Sequence, residues 1–391
     1  MNILLVHNYY QIPGGEDTVV KNEKELLEAN GCKVWLYTRN NSEIKDFSVL
    51  QKLCLPITSI FSLKTYQEIR RILRDNHIEM VHVHNTLSLI SPAVYYAAEK
   101  EHVPVIQTVH NYRLICPAAT LYRKKGICTD CLEKGLGCAV MHKCYRASRI
   151  QSFVSAFVLW IHRKSGIYRK INYICLTDFN RKKLLEAKKR GRSFFREEGM
   201  YVKPNFTAPA VEYKPYTERE NYYIYVGRLD ALKGIRRLLE RWEKIPERLL
   251  LCGSGPEEDW CRAFCAKHHM EQVEFKGQLS HDGVMRLMGN ARALIFPTRW
   301  YEGQPMTIVE SFAAGTPVIG TRIGNVKEMI EDGRTGLYVD MTLEDLPEKL
   351  GKLRPEMSRA CLEEYERRYT PQVNFKQFVK IWSDVLKHSS R

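Results

Sequence analysis

The stretch A-L-I-F-P-T-R-W-Y-E-G-Q-P-M-T-I-V-E-S-F-A-A-G, Ala293 to Gly315, reads as strand, loop and helix in succession. A short apolar run closed by Pro297 has the length and composition of a buried strand. Thr298 to Gln304 form a polar connection. Pro305 suits the first turn of a helix and Gly315 suits its C-terminal cap, so the helix is expected over Pro305–Ala314. A helix entered this way points its free N-terminal amides at the end of the preceding strand, where an anion is stabilised. Glu302 stands on the loop and Glu310 about a turn and a half into the helix, so both carboxylates face one ligand.

The same alternation extends in both directions. Upstream, Ile3 to Val6, Lys33 to Tyr37, Met80 to Val83, Val105 to Thr108 and Tyr173 to Leu176 read as strands. Thr18 to Asn30 and Leu63 to Asn76 have helical periodicity between them. The pattern restarts with Tyr222 to Val226, Arg248 to Cys252, Gln272 to Lys276, Ala293 to Pro297 and Pro317 to Gly320. Strands alternating with helices give parallel sheets covered on both faces. At 391 residues the chain is long enough for two such domains. The boundary is placed at the Lys203-Pro204-Asn205 turn, giving domains 1–205 and 206–370 and a C-terminal helix within 371–391. Sheets of this kind bind ligands beyond the carboxyl ends of their strands.

Several residues sit at such ends. Strand Tyr222 to Val226 runs into G-R-L-D-A-L-K-G, Gly227 to Gly234, where Gly227 permits a sharp turn and Arg228 and Lys233 offer two cations to a phosphate. Gly14 and Gly15 follow the first strand, where absent side chains let a ligand approach the backbone. Glu16 and Asp17 come directly after. His110 follows the strand Val105 to Thr108. Of His82 and His84, one is expected to face the core and His84 the ligand.

Five motifs in order, G-R-L-D-A-L-K-G, G-S-G-P (Gly253–Pro256), E-x7-E (Glu302 and Glu310), A-A-G-T-P-V-I-G (Ala313–Gly320) and D-G-R-T-G-L (Asp332–Leu337), resemble the family-four retaining glycosyltransferases of the GT-B fold. The resemblance implies two doubly wound Rossmann-like domains facing across a cleft, with the C-terminal helix Gln372–Leu386 packing back on the first domain. It implies transfer of a sugar from a nucleotide-diphosphate donor to a glycan or lipid-linked glycan, in surface polysaccharide synthesis. Arg228 and Lys233 would then hold the donor diphosphate and offset its growing charge, with no metal ion at the leaving group. Glu310 would accept from ribose hydroxyls. Glu302 and the backbone of Gly303, Gln304, Pro305, Met306 and Thr307 would contact the donor, with Gly14, Gly15 and Gly227 lining it. His110 would lie close to the transferred sugar. Retention follows from the resemblance alone, by a front-face displacement that needs no protein nucleophile, so Glu302 and Glu310 are binding groups.

Cys128-x2-Cys131-x6-Cys138-x5-Cys144 lies in an insertion at about 116–146, with Cys116 and His142 nearby. Four thiolates at this spacing are able to hold a structural zinc, and reduced thiols or a disulfide fit the same spacing. The net charge is +15, of which residues 101–200 carry +13, which points to an anionic partner. Within that region Arg146 to Lys170 is an apolar helix framed by cations, suited to an anionic membrane surface or to the core. The basic stretch Arg181 to Arg196 follows it.

The composition, 44% apolar and 27% charged, is that of a folded protein and excludes disordered and fibrous classes. The N-terminal stretch reads as a strand, without the features of a signal peptide. No uncharged apolar run reaches the span of a bilayer. Together these lead to the expectation of a cytoplasmic protein, peripheral on the inner membrane face, with mostly reduced cysteines. A dehydrogenase is disfavoured because no complete G-x-G-x-x-G follows the first strand. A nucleotide-sugar epimerase of the same fold and a basic nucleic-acid-binding protein are the alternatives. The second lacks aromatics interleaved with its cations.

Overall fold

The computed structural model describes residues 1–391 except 12–13, 125, 190, 211–212 and 390–391, and it leaves out the side chains at 189 and 389. Pro13 and Arg190, which belong to the glycine loop and the basic stretch, thus lie outside the described residues. The chain divides into two compact units, Met1–Pro204 with Phe375–Arg391, and Asn205–Asn374.

The first unit holds a six-stranded sheet of β1 (Asn2–Tyr9), β2 (Lys33–Asn40), β3 (Met80–Asn85), β4 (Val105–Val109), β5 (Asn172–Cys175) and β6 (Met200–Val202). Its order is β6-β5-β4-β3-β1-β2 and every pairing is parallel. Helix α1 (Gly15–Ala29) follows β1, α2 (Val49–Ile60) follows β2, and α3 (Arg149–Ser165) precedes β5. Ile3, Leu5, Met80, Ile106 and Ile174 present one face of the sheet. Phe378, Ile381, Trp382 and Val385 of the C-terminal helix Pro371–Ser389 pack on it. That helix is therefore integral to the first unit's core.

The second unit repeats the plan with β7 (Tyr222–Val226), β8 (Arg248–Cys252), β9 (Val273–Gly277), β10 (Leu294–Phe296), β11 (Val318–Thr321) and β12 (Gly336–Val339), in the order β9-β8-β7-β10-β11-β12, all parallel. Successive strand residues point to opposite faces. Tyr222, Ile224, Leu250, Leu294 and Phe296 enter one core cluster, and Tyr223, Tyr225, Leu249, Leu251 and Ile295 the other. Burial on both faces explains why these strands are continuous apolar runs.

Helix α4 (Met306–Ala313) is one residue shorter at each end than the sequence suggests. Pro305 is its N-cap, with an extended ψ of 114°, and Gly315 adopts a left-handed φ of 64° just past its end. Both sheets reverse their strand order once, between β1 and β3 in the first unit and between β7 and β10 in the second. Loops diverge at such switch points, which leaves room for a ligand beyond the strand ends.

Candidate active site

In the second unit the loops after β7 and β8 are locked together backbone to backbone. In the loop after β7, the Gly227 N–H donates to Cys252 O at 2.9 Å, and the Leu229 N–H to Ser254 O at 2.9 Å. A Cβ on Gly253, at φ +133°, would lie 2.1 Å from Gly227 O, and one on Gly255 2.4 Å from Leu229 O. The glycines of G-S-G-P are thus required by this contact. Gly234 closes the loop at φ +80°, where a Cβ would meet Pro297 O at 2.0 Å.

This packing delivers Lys233 to Glu302. The Glu302 carboxylate accepts from Lys233 Nζ at 2.8 Å, Thr298 Oγ1 at 2.9 Å and Trp300 Nε1 at 2.8 Å, all on Oε1. Glu302 is buried, while the Lys233 side chain keeps 27% of its surface exposed. Asn325 Nδ2 donates to the carbonyls of Glu302 and Gly303, and Thr321 Oγ1 to Thr298 O at 2.6 Å, so the loop is fixed from beneath. Gln304 is buried and its Oε1 accepts from the Asn205 N–H at 2.7 Å. Arg228 pairs with Asp230, which also caps the following turn by accepting from the Leu232 N–H at 2.8 Å. Glu310 lies on α4 with its side chain 14% exposed, 3.7 Å from His281 Nδ1. Burial raises its pKa, and His281 partly opposes the rise.

The sequence thus brings Arg228, Lys233, Glu302 and Glu310 to the strand ends of one sheet. The backbone of Gly303 to Thr307 leads into α4. Thr298 and Trp300 were read only as part of the loop, and Asn325 and His281 went unnoticed, because isolated polar residues carry no pattern.

In the first unit Gly14 caps α1. The Gly14 N–H donates to Asp17 Oδ2 at 2.9 Å, and the other Asp17 oxygen lies 2.7 Å from His7 Nε2. Asp17 is thereby committed to the fold. Glu16 accepts from Tyr10 Oη at 3.1 Å, and burial pushes its carboxyl up to about 8, so it is protonated at neutral pH. A Cβ on Gly14 would meet nothing within 4 Å, so the fold itself does not require glycine there.

His110 sits at the end of β4, half-buried. Its Nε2 is 2.9 Å from His84 Nδ1. His84 was expected to face the ligand directly, but it is buried together with His82. The reason is α1, whose Glu23 covers both rings. Glu23 Oε2 lies 3.0 Å from His84 Nε2 and 3.8 Å from His82 Nδ1, while Oε1 lies 3.4 Å from Lys203 Nζ. Burial alone would raise the Glu23 carboxyl. Lys203, His84 and His82 outweigh it and hold the group well below the usual carboxylate range.

Two sites have metal-like donor sets. Glu23, His82 and His84 are the group among the described residues whose ligand atoms all fall within 4.8 Å. Lys203 already supplies their counter-charge, and an ammonium at this distance opposes a second cation. The insertion gathers its thiols around Cys131, whose pKa is pushed up to about 12 by burial first and then by Cys116, Cys144, Cys138 and Cys128. Among the described residues no three of these sulfurs close to within 4.8 Å.

Helix α3 packs one face into the core and exposes another. Ser155, Ala156, Val158, Leu159 and His162 are buried, whereas Ile150, Phe153 and Trp160 are 74%, 55% and 47% exposed. Helix α2 exposes Val49, Leu50, Leu53 and Ile57. No helix among the described residues is long and apolar enough to cross a membrane.

Comparison with known proteins places both units. The family described as Glycosyltransferase Family 4 matches residues 13–186, and Glycosyl transferases group 1 matches residues 212–369. An uncharacterized glycosyltransferase of Methanocaldococcus jannaschii is 31% identical over 164 residues, which are 42% of this chain and 44% of that protein. The match thus spans less than half the length of that relative. Sucrose-phosphate synthase of Thermosynechococcus elongatus shares the fold, with a TM-score of 0.68 at 16% identity over 99% of both chains. Anabaena HepE, solved in complex with UDP-glucose, does so with a TM-score of 0.64 at 14% identity, over 98% of this chain and 100% of that one. With a glycosyltransferase family matched in each unit and two Rossmann-like parallel sheets, the chain belongs to the glycosyltransferases of the GT-B type.

Proposed function

We propose that the protein transfers a sugar from a nucleoside-diphosphate sugar to a hydroxyl of a glycan or lipid-linked glycan, with retention of configuration and without a metal ion at the donor. The observation that carries this reading is the Lys233–Glu302 contact at the switch point of the second sheet, with Arg228 on the same loop. Lys233 and Arg228 supply the positive charge that a departing diphosphate needs. The amides at the start of α4 add to it. Glu310 is the ribose acceptor. Glu302, with Oε1 already accepting from three donors, orients Lys233 and the loop and does not attack the sugar. The first unit offers His110 at the end of β4 and a glycine pair, Gly14 and Gly15, at the start of α1. HepE was solved with UDP-glucose, which makes uridine diphosphate the first donor group to test.

The acceptor is reached at a membrane. Helices α2 and α3 contain no Asp or Glu, carry Lys52, Arg149, Arg163 and Lys164, and expose seven large apolar side chains between them. That combination suits an anionic lipid surface. One zinc held by thiolates around Cys131 would order the cysteine insertion, with its two-residue strands and helices of four and five residues, and would have to draw together sulfurs that stand farther apart in this structure.

Thermal unfolding with a panel of nucleoside diphosphates tests the donor reading. A ligand at 100 times its Kd adds about 2.7 kcal/mol, a shift of a few degrees for a domain of this size. No shift with any of them would remove the donor site.

A further inference from the structure

We propose that Arg113 is an anion-binding residue of the first unit, and that the acceptor brings it a phosphate or carboxylate group. The anion site stands on geometry alone; that its ligand is the acceptor rests on the proposed transfer.

Tyr112–Leu114 form a short 3-10 turn directly after His110 and Asn111, just past the end of β4. The Asn111 side chain caps the turn, with Oδ1 accepting from the Arg113 N–H at 3.0 Å. Buried Tyr112 anchors it by donating from Oη to Asn180 Oδ1 at 2.8 Å. Arg113 is thereby held at the carboxyl end of the strands, where sheets of this kind bind ligands. Together with His110, Asn111 and the segment Asn85 to Leu87 it lines a cavity at the ends of β3 and β4.

The fold does not supply a partner for this guanidinium. Nε and Nη1 are buried and have no hydrogen-bond partner among the described residues. Nη2 is not enclosed with them, and it is the end of the fork that a ligand meets first. The Tyr145 ring packs 5.5 Å from the guanidinium carbon. A ring over the cation leaves its in-plane N–H groups unsatisfied. Glu16 feels the Arg113 charge without neutralising it. Burial first, with the Asp17 charge, outweighs Tyr10 and Arg113 and pushes the Glu16 carboxyl up to about 8, so it is protonated at neutral pH. Its Oε2 accepts from Tyr10 Oη at 3.1 Å. Asp17 is committed elsewhere, to the Gly14 N–H and His7 Nε2. Arginine stays charged throughout the physiological range. A partly buried guanidinium without an ionised neighbour is costly, and a bound anion relieves that cost. Its planar fork matches phosphate and carboxylate oxygens. The donor diphosphate already has Arg228, Lys233 and the α4 amides in the second unit, so the Arg113 charge is left for the acceptor.

Titration of the full chain with inorganic phosphate at pH 7, followed on the arginine Nε–H signals of nitrogen-15-labelled protein, tests the proposal. The Arg113 signal is assigned by its loss in Arg113→Gln. A saturable shift of that signal is expected, and it should persist with UDP in excess. A shift that never saturates and that sodium chloride reproduces means an adventitious ion only, and it overturns the site, as does no shift at all. A shift that UDP abolishes gives the anion to the donor and overturns the acceptor assignment. Phosphate affinity in the presence of UDP, read from phosphorus-31 line widths, should fall at least about 10-fold in Arg113→Gln, while UDP affinity stays unchanged. Equal phosphate affinity in the variant overturns the assignment to Arg113. Glu16→Gln should leave phosphate affinity unchanged, because one neutral group replaces another. A rise of about 10-fold or more in that variant would show Glu16 ionised against Arg113 and overturn the proposal. If Arg113→Gln does not fold, Arg113→Lys, which keeps the charge and loses the fork, takes its place. If UDP does not bind the wild type, the donor reading fails, and the phosphate titration still decides the anion site.

Discussion

Lys233 is the residue whose removal is most informative, because it stands between a buried carboxylate and the proposed diphosphate. A hydrogen bond to a charged group contributes about 1.5–3 kcal/mol. Lys233→Ala should therefore weaken UDP binding by about 10- to 100-fold in titration calorimetry. Unchanged affinity would move the diphosphate elsewhere. A second prediction concerns acid. His82 titrates near 6.5 in the unfolded chain and near 3 when folded. Between those values the unfolded state binds more protons, so stability rises with pH across the window and falls as pH is lowered from about 6.5. Lowering the pH from 7 to 5 should destabilise the fold by about 1–2 kcal/mol from this residue alone, and His82→Asn should flatten that slope in chemical denaturation. Residue-scale legibility was uneven. The stripe Val19, Val20, Glu23, Leu26 and Leu27 on α1 places a carboxylate among apolar positions, and that mismatch was the readable sign of Glu23. It went unused because a lone Glu on a helix reads as a solvated face.

At the scale of elements, the strands were readable wherever both faces are buried, as in β7, β8 and β10. The edge strands β6 and β12 were missed. Met200–Val202 is only three residues long, and Gly336, whose absent side chain lets β12 lie against Val318, reads as a turn residue. The site loop after β7 was marked by Gly227 and Gly234, and the close approach of Gly234 to Pro297 O explains the second, while the loop after β10 was marked by Pro305 and the Glu302–Glu310 spacing. Helix α2 was not read as a separate surface, since an apolar run is equally consistent with a core. Its exposure leads to a third prediction: the wild type should cosediment with vesicles containing phosphatidylglycerol, and Leu53→Ser with Ile57→Ser should reduce binding several-fold. Equal binding by both proteins, or none by either, argues against the lipid surface. The insertion gives a fourth. Protein purified under reducing conditions should contain about one zinc per chain and lose it in Cys131→Ser. Metal-free, fully folded wild-type protein contradicts the zinc reading.

For the whole molecule, the charge and the fold point to different partners. The +13 carried by residues 101–200 belongs to the first unit, whereas Lys233, Glu302 and Glu310 lie in the second. Two Rossmann-like units of one plan thus carry separate features, with the basic surface and His110 on one and the proposed nucleotide site on the other. The sequence order of motifs was enough to read the fold class, because five glycine- and proline-marked turns in register leave few other topologies. The identity of the sugar and the acceptor was not readable, since it depends on side chains whose positions no periodicity encodes. The account is tested most directly by incubating the full chain with a panel of nucleotide sugars and measuring the nucleoside diphosphate released. One donor should release it, and Lys233→Ala should lower kcat/KM by at least about 100-fold, or 2.7 kcal/mol of transition-state stabilisation. Release from no donor, or release that Lys233→Ala leaves intact, would contradict the central claim.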